Sequence, residues 1–174
     1  MQVINLFGGP GSGKSTTAAG LFYHMKMEHR NVELITEYAK DLVYSDSLNV
    51  LKNNQEYIFA EQNRRQHILE GKVDWAITDS PLLLSHYYGN ERIRSNRESF
   101  FRLVGDTFHM YDNVNFFLDR PTEFTEHGRD RTLAQSIEID DALIQILENE
   151  KAKYIRVEAD DCTIITILRH LKLA

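Results

Sequence analysis

Residues 8 to 15 read Gly8-Gly9-Pro10-Gly11-Ser12-Gly13-Lys14-Ser15, which matches the P-loop pattern G-x-x-x-x-G-K-[ST]. Glycines allow the backbone to curl so that successive N–H groups point inward, toward an anion. Lys14 is then expected to reach the β- and γ-phosphates of a nucleotide, and the Ser15 hydroxyl to ligate Mg²⁺. Thr16 is a first-turn helix residue that could touch the α-phosphate. The pattern predicts a nucleoside triphosphate site.

The residues on both sides of the loop support this interpretation. Before it, the apolar run QVINLF at residues 2–7 predicts a strand. After it, Ala18, Leu21, Phe22 and Met25 recur at three- and four-residue spacing and predict a helix from Lys14 to about residue 29. A glycine-rich turn that matched the pattern by chance would not require this order of strand, loop and helix.

Strands and helices alternate along the rest of the chain. We expect further strands at 32–35, 73–78, 114–118 and 154–157, and helices at 37–44, 53–69, 82–88, 95–109, 134–152 and 161–171. Gly89 is expected to stop the third of these helices. In the second, Tyr57, Ile58, Ala60 and Ile68 are the expected core positions. The alternation predicts an α/β fold of one domain, residues 1–174, with a parallel sheet covered on both faces.

Composition bounds the function. The 26 acidic and 20 basic side chains give a net charge of -6, which argues against broad, non-specific coating of DNA. Cys162, the single cysteine, excludes an internal disulfide and is expected to be buried. We see no signal peptide and no apolar run long enough to cross a membrane, so a cytoplasmic protein is expected. A monomer and a homodimer both remain open.

A second site residue is expected at the end of the third strand. Trp75-Ala76-Ile77-Thr78 is apolar and runs into Asp79. Asp79 could hold Mg²⁺ directly or through water, or accept the proton of an attacking hydroxyl; the alternative is a carboxylate that caps the next helix. Ser80 follows where ATP-hydrolysing motors often carry a glutamate, which argues against a motor. The guanine-reading string N-K-x-D is also missing.

Two further segments supply candidate catalytic groups. Glu37 follows the second strand and could be a general base, bind an acceptor hydroxyl, or simply favour the start of a helix. Residues 119–132 form a polar loop in which Arg120, Arg129 and Arg131 could close over the phosphates as a lid. Arg129 and Arg131 are the catalytic candidates and Arg120 a nucleotide-binding one. A solvated loop of mixed charge is the alternative.

Other polar residues were weighed for the acceptor side. Arg64, Arg65, Arg92, Arg94, Arg97 and Arg102 could steer an acceptor that bears a phosphate, although a solvated helix face is the better explanation for most of them. Gln62 is a weaker candidate for reading a base edge. The histidines show no metal-ligand spacing and are assigned no site role.

Several strings together resemble one family. GGPGSGKST, TEYAKD, ITDSP and FLDRP…HGRDRT…EIDDALIQIL, spread over residues 2–147, are similar to small P-loop kinases of the AAA_28 type. That group includes nicotinamide riboside kinase domains and phage nucleotide kinase-like proteins, some of which act on 5-hydroxymethyluracil in DNA. The resemblance implies a three-layer α/β/α P-loop NTPase fold with a five-stranded parallel sheet of order 2-3-1-4-5. It also implies ATP and Mg²⁺ at Lys14 and Ser15, Asp79 between metal and acceptor, and a lid around Arg129.

The expected function is therefore an ATP- and Mg²⁺-dependent phosphotransferase. Its acceptor would be a hydroxyl or phosphate of a nucleoside, a nucleotide or a modified base in DNA. A slow ATPase that acts as a nucleotide-dependent switch or binding module is the alternative, and acceptor-dependent consumption of ATP separates the two.

Overall fold

A computed structural model of the chain describes residues 1–93, 95–120 and 133–173, without the side chains of Glu91, Arg92 and Leu133. Its strands are β1 Gln2–Phe7, β2 Val32–Ile35, β3 Trp75–Thr78, β4 Asp112–Asp119 and β5 Tyr154–Glu158. Its helices are α1 Lys14–Met27, α2 Tyr38–Tyr44, α3 Leu48–Asn53, α4 Gln55–His67, α5 Leu84–Arg92, α6 Arg97–His109, α7 Leu133–Asn149 and α8 Thr163–His170. The helix α3 was not predicted.

The five strands form one parallel sheet in the order β2-β3-β1-β4-β5, which confirms the expected topology. The strand β1 lies at the centre, with Gln2 opposite Trp75 of β3 and Asp112 of β4. In a parallel sheet all carboxyl ends lie at the same edge. The segments that follow β1, β2 and β3 therefore meet at one edge of the sheet.

Helices cover both faces of the sheet, as the strand β4 shows. Phe116 and Leu118 face a buried cluster that includes Leu21 of α1 and Ile167 of α8. Phe117, between them, faces the opposite cluster, which contains side chains of α5, α6 and α7. Successive strand residues point to opposite faces, so this alternation confirms the three-layer α/β/α architecture. Within the described segments, no helix is long and apolar enough to cross a membrane.

Helix α4 buries three glutamine side chains, which a pattern of apolar residues does not predict. Its buried residues are Gln55, Ile58, Phe59, Gln62 and Gln66. The prediction of Ile58 in the core is confirmed, whereas Tyr57, Ala60 and Ile68 are exposed, so these three predictions were wrong. The glutamines tolerate burial because their amides find hydrogen-bond partners, such as Ser85 Oγ at 3.3 Å from Gln55 Nε2.

Two other predictions were wrong. Gly89 does not stop a helix but lies inside α5, where an added Cβ would come within 2.9 Å of the Phe101 ring and 3.1 Å of Phe100. Glycine here permits a close approach of α5 and α6. Cys162 is exposed rather than buried, because it precedes α8 at the helix end instead of facing the core.

Candidate active site

The loop between β1 and α1 has the backbone that its glycines were expected to permit. Gly8, Gly11 and Gly13 have φ angles of 135°, 83° and 83°, in the region that favours glycine. Gly13 is the N-cap of α1, so the loop feeds directly into the amino end of that helix. A hydrogen bond from Ser12 N to Gly9 O, at 3.3 Å, closes the turn. The geometry suits an anion cradle at a helix N-terminus.

Lys14 folds back over this loop. Its Nζ donates hydrogen bonds to the carbonyl oxygens of Gly8 at 2.6 Å and Gly9 at 2.9 Å. Burial lowers the pKa of Lys14 to about 8, although the carboxylates of Glu37 and Asp79 act in the opposite direction. An ammonium group with so little water around it gains strongly from an incoming phosphate.

Asp79 lies beside Ser15. Ser15 Oγ donates a hydrogen bond of 2.6 Å to Asp79 Oδ2, which joins the first turn of α1 to the end of β3. The Asp79 side chain is 7% exposed, and its Oδ1 has no hydrogen-bond partner within the described part of the chain. A buried carboxylate oxygen without a partner, next to a hydroxyl, fits the oxygen ligands that Mg²⁺ prefers.

The described part of the chain offers few other metal ligands near Ser15 and Asp79. Among the described residues, no three or more His, Cys, Asp and Glu side chains form a group that could hold a metal ion. Mg²⁺ in phosphoryl-transfer sites is commonly held by one or two protein groups, with substrate phosphates and water completing its shell. Ser15 and Asp79 match that sparse arrangement.

Lys40 is a site residue that the sequence analysis missed. Its Nζ lies 2.9 Å from Ser15 Oγ, 3.1 Å from Asp79 Oδ2 and 3.7 Å from Glu37 Oε2. The TEYAKD string carried a signal for it, because Lys40 follows Glu37 by three residues and so lies beside it on one helical turn.

Glu37 occupies the N-cap position of α2 but makes no capping hydrogen bond with its side chain. Instead, its carboxylate points toward Lys40. Burial raises the pKa of Glu37, and the neighbouring Lys40 offsets part of that rise. A carboxylate with a raised pKa is a stronger base than a fully solvated one, which suits a group that accepts a proton.

Arg120 and Asp140 hold the loop from its outer side. Arg120 Nη2 donates to Asp140 Oδ2 at 2.8 Å, and Arg120 Nη1 donates to the carbonyl oxygen of Pro10. Asp140 Oδ1 accepts a hydrogen bond from Gly9 N. Asp140 was not singled out from the sequence, although it lies in the EIDDALIQIL string. A direct contact of Arg120 with a nucleotide stays a prediction.

Two cavities adjoin at this edge of the sheet. One, of about 260 Å³, is lined by Gly8, Pro10, Gly11, Lys14, Ser15, Glu37, Lys40, Asp79, Leu84, Tyr88 and Leu143. The other, of about 210 Å³, is lined by Glu37, Ala39, Lys40, Val43, Leu51, Gln55, Ile58, Gln62, Ser80, Pro81, Leu84, Ser85 and Tyr88. Glu37, Lys40, Leu84 and Tyr88 belong to both linings. The phosphate cradle therefore shares a wall with a largely apolar pocket.

Other candidate residues from the sequence bond to neighbouring residues or lie outside the residues that the structure describes. Gln62 uses its amide on the backbone of Tyr38 and Thr36. Arg64 is exposed and pairs with Glu61, as a residue on a solvated helix face would. Arg65 is partly buried and pairs with Asp41 and Thr36. The candidates Arg94, Arg129 and Arg131, and the side chain of Arg92, lie outside the described residues, as does most of the expected lid.

Comparison with known proteins shows the family and the fold of the chain. A family model, AAA_28, described as an AAA domain, matches residues 3–163. The chain belongs to the AAA_28 family. A NadR protein in complex with NR is 14% identical, with a TM-score of 0.69 over 99% of this chain and 52% of that one. A NadR protein in complex with NAD and AMP-PNP is also 14% identical, with a TM-score of 0.67 over 99% and 50%.

The match to the NadR structures is partial in length and low in sequence identity. The chain spans about half the length of both NadR structures. At 14% identity the match to them shows the fold alone. No curated protein sequence matches the chain.

Proposed function

We propose that this protein is an ATP- and Mg²⁺-dependent phosphotransferase that moves the γ-phosphoryl group to a nucleoside, a nucleotide or a modified base in DNA. The observation that carries the proposal is the wall shared by the phosphate cradle and the adjoining pocket, with Glu37 and Lys40 in both linings. A donor and an acceptor bound in the two cavities would meet at these side chains. The NadR complexes with NR and with NAD and AMP-PNP support a role for the fold in binding such compounds.

The donor side follows from the loop. Backbone amides of residues 8–13 would surround the phosphates, with Thr16 in the first turn of α1 beside them and Lys14 supplying charge to the β- and γ-phosphates. Ser15 and Asp79 would hold Mg²⁺. When bound, Mg²⁺ would neutralise the charge on the phosphates.

The acceptor side distinguishes the two carboxylates. Glu37 lines both cavities, whereas Asp79 lines only the phosphate cradle. We therefore assign Glu37 as the general base and Asp79 as the metal ligand. Glu37 would take the proton from the acceptor hydroxyl, and the oxygen of that hydroxyl would form a bond to the γ-phosphorus. At the same time the bond from the γ-phosphorus to the bridging oxygen of ADP would break. ADP and the phosphorylated acceptor then leave.

The pocket lining favours an uncharged ring as the acceptor. Val43, Leu51, Ile58 and Pro81 give it apolar walls, and the hydroxyls among its lining residues could fix the orientation of a polar ring. Among the described residues that line it, Lys40 is the single cation. A phosphate-bearing acceptor would call for more positive charge, so a free nucleoside is the first compound to test. A base in duplex DNA would first have to be flipped out.

The expected lid belongs to this proposal. Arg129 and Arg131 would close over the transferring group and exclude water, and the whole chain, residues 1–174, would act as one kinase domain.

Transfer of a label tests the proposal. The protein is incubated with γ-labelled ATP, Mg²⁺ and separate nucleosides, nucleotides and hydroxymethylated DNA, and the labelled product is identified. Label should pass to one acceptor class, and Lys14→Ala or Asp79→Asn should lower transfer by at least about a hundredfold. ATP consumed at the same rate with and without every acceptor would contradict a kinase and favour the slow ATPase switch.

A further inference from the structure

Lys40 contacts the Ser15 hydroxyl and the nearer oxygen of the Asp79 carboxylate, and these are the two groups that the proposed metal site would use. Its Nζ lies 2.9 Å from Ser15 Oγ and 3.1 Å from Asp79 Oδ2. Both distances are within hydrogen-bonding range, so these are direct contacts and not long-range attraction. A cation and a lysine ammonium cannot occupy one position beside these two oxygens.

Lys40 lies between two carboxylates. Its Nζ is 3.1 Å from Asp79 Oδ2 and 3.7 Å from Glu37 Oε2. With Lys14, it balances the two carboxylates at the cradle. Its side chain is 43% exposed, so the long, flexible stem can swing without unpacking the core.

We propose that Lys40 is a built-in competitor of Mg²⁺, which must leave Ser15 Oγ and Asp79 Oδ2 before the metal can bind there. The inference rests on the proposed function and extends it. Because Lys40 lies in the wall between the two cavities, the displaced ammonium stays where the phosphoryl group would cross. The competition makes the site respond to the metal and nucleotide together, since the phosphates attract the ammonium that the metal displaces.

A magnesium titration of nucleotide binding tests this without measuring catalysis. Fluorescence anisotropy of a labelled, non-hydrolysable ATP analogue is followed while MgCl₂ is raised at constant ionic strength, and binding is also measured in EDTA. Lys40→Gln removes the competing charge, so the half-saturating Mg²⁺ concentration should fall about three- to tenfold. Binding in EDTA should weaken or stay the same, since a positive charge near the phosphates is lost.

Three variants serve as controls. Lys40→Arg keeps the charge and should stay within about twofold of the unchanged protein. Lys40→Met keeps the stem without the charge and should behave as Lys40→Gln. The test can therefore still be made if one of these two variants folds poorly. Lys72→Gln removes an exposed charge at the opposite edge of the sheet, ahead of β3, and should have no effect.

The outcomes separate this inference from the proposed function. An unchanged or raised half-saturating Mg²⁺ concentration in both neutral variants would overturn the competition, as would a fall of equal size in Lys40→Arg. Equal weakening in EDTA and in Mg²⁺, with the half-saturation unmoved, would show a merely structural lysine. Failure of the unchanged protein to bind the analogue at any Mg²⁺ concentration would instead remove the proposed function itself.

Discussion

Lys14 and Glu37 carry opposite charges, and burial shifts the pKa of each in the direction of its neutral form. Desolvation disfavours charge of either sign, so the pKa of the lysine falls and that of the glutamate rises. Each of these two residues gives one prediction.

The first prediction concerns the binding of a nucleotide near Lys14. Lys14 is charged below its pKa of about 8, so its attraction to phosphate is complete at pH 7 and is lost as the pH rises through that value. In EDTA, affinity for an ATP analogue should fall up to about tenfold per pH unit above 8, until Lys14 of the complex also loses its proton. Lys40, with its raised pKa, does not interfere.

Lys14→Arg is the matched control for this titration. Arginine keeps its charge throughout the range, so its affinity should stay flat between pH 8 and 9.5, whatever its absolute value. The assignment would be wrong if the unchanged protein were equally flat.

The second prediction concerns Glu37 as the general base. Its raised pKa means that the carboxylate, the form that accepts a proton, is lost as the pH falls through that value. Glu37→Gln should lower the rate of transfer by about 10²- to 10⁴-fold and change nucleotide affinity little. Steady-state kinetics with the labelled acceptor measure both quantities. Glu33→Gln, on the strand before it, should keep the normal rate; equal rates for the two variants would refute the assignment.

At the scale of elements, α7 holds the loop between β1 and α1. Asp140 of α7 accepts a hydrogen bond from Gly9 N and pairs with Arg120, which also binds the carbonyl oxygen of Pro10. Helix α7 thus helps to set the conformation of a loop that lies 131 residues earlier in the chain. The loop depends on this helix for part of its shape.

Removal of the Asp140 carboxylate should therefore weaken nucleotide binding from outside the cradle. Asp140→Ala leaves Arg120 without its carboxylate and frees Gly9 N, and we expect about a three- to tenfold loss of affinity for the ATP analogue, measured by anisotropy. Asp141→Ala, at the exposed neighbouring position, is the control. Indistinguishable affinities for the two variants would show that α7 does not set the loop.

At the scale of the whole molecule, the sheet joins two buried clusters, one on each face. Phe116 is fully buried at the centre of β4, the strand that also contributes Phe117 to the opposite cluster. A cavity at this position cannot be filled easily from either side, because the backbone of the sheet is fixed by its hydrogen bonds.

Phe116→Ala should accordingly lower the free energy of unfolding by about 3–5 kcal/mol, as determined by chemical denaturation. Tyr44→Ala removes an aromatic ring that is 86% exposed and should change stability by about 0.5 kcal/mol or less. Similar losses for both would contradict the central place of β4 in the core.

Individual residues show how far sequence reasoning extends. Gly8, Gly11 and Gly13 were found because their neighbours in the chain form the cradle with them. Gln62 is only a weaker sequence candidate for reading a base edge, and in the structure its amide holds the backbone of Tyr38 and Thr36. Helical periodicity is read from apolar side chains, so it does not predict the burial of a glutamine that has hydrogen-bond partners.

The sequence by itself determined the phosphate cradle and the alternation of strands and helices, because both depend on residues that are neighbours in the chain. The tertiary structure decided which side chains face the cradle. Lys40 and Asp140 reach it only because the strand order places the ends of β1, β2 and β3 together and packs α7 beside them. Such contacts depend on the packing of distant segments, which no local pattern of residues encodes.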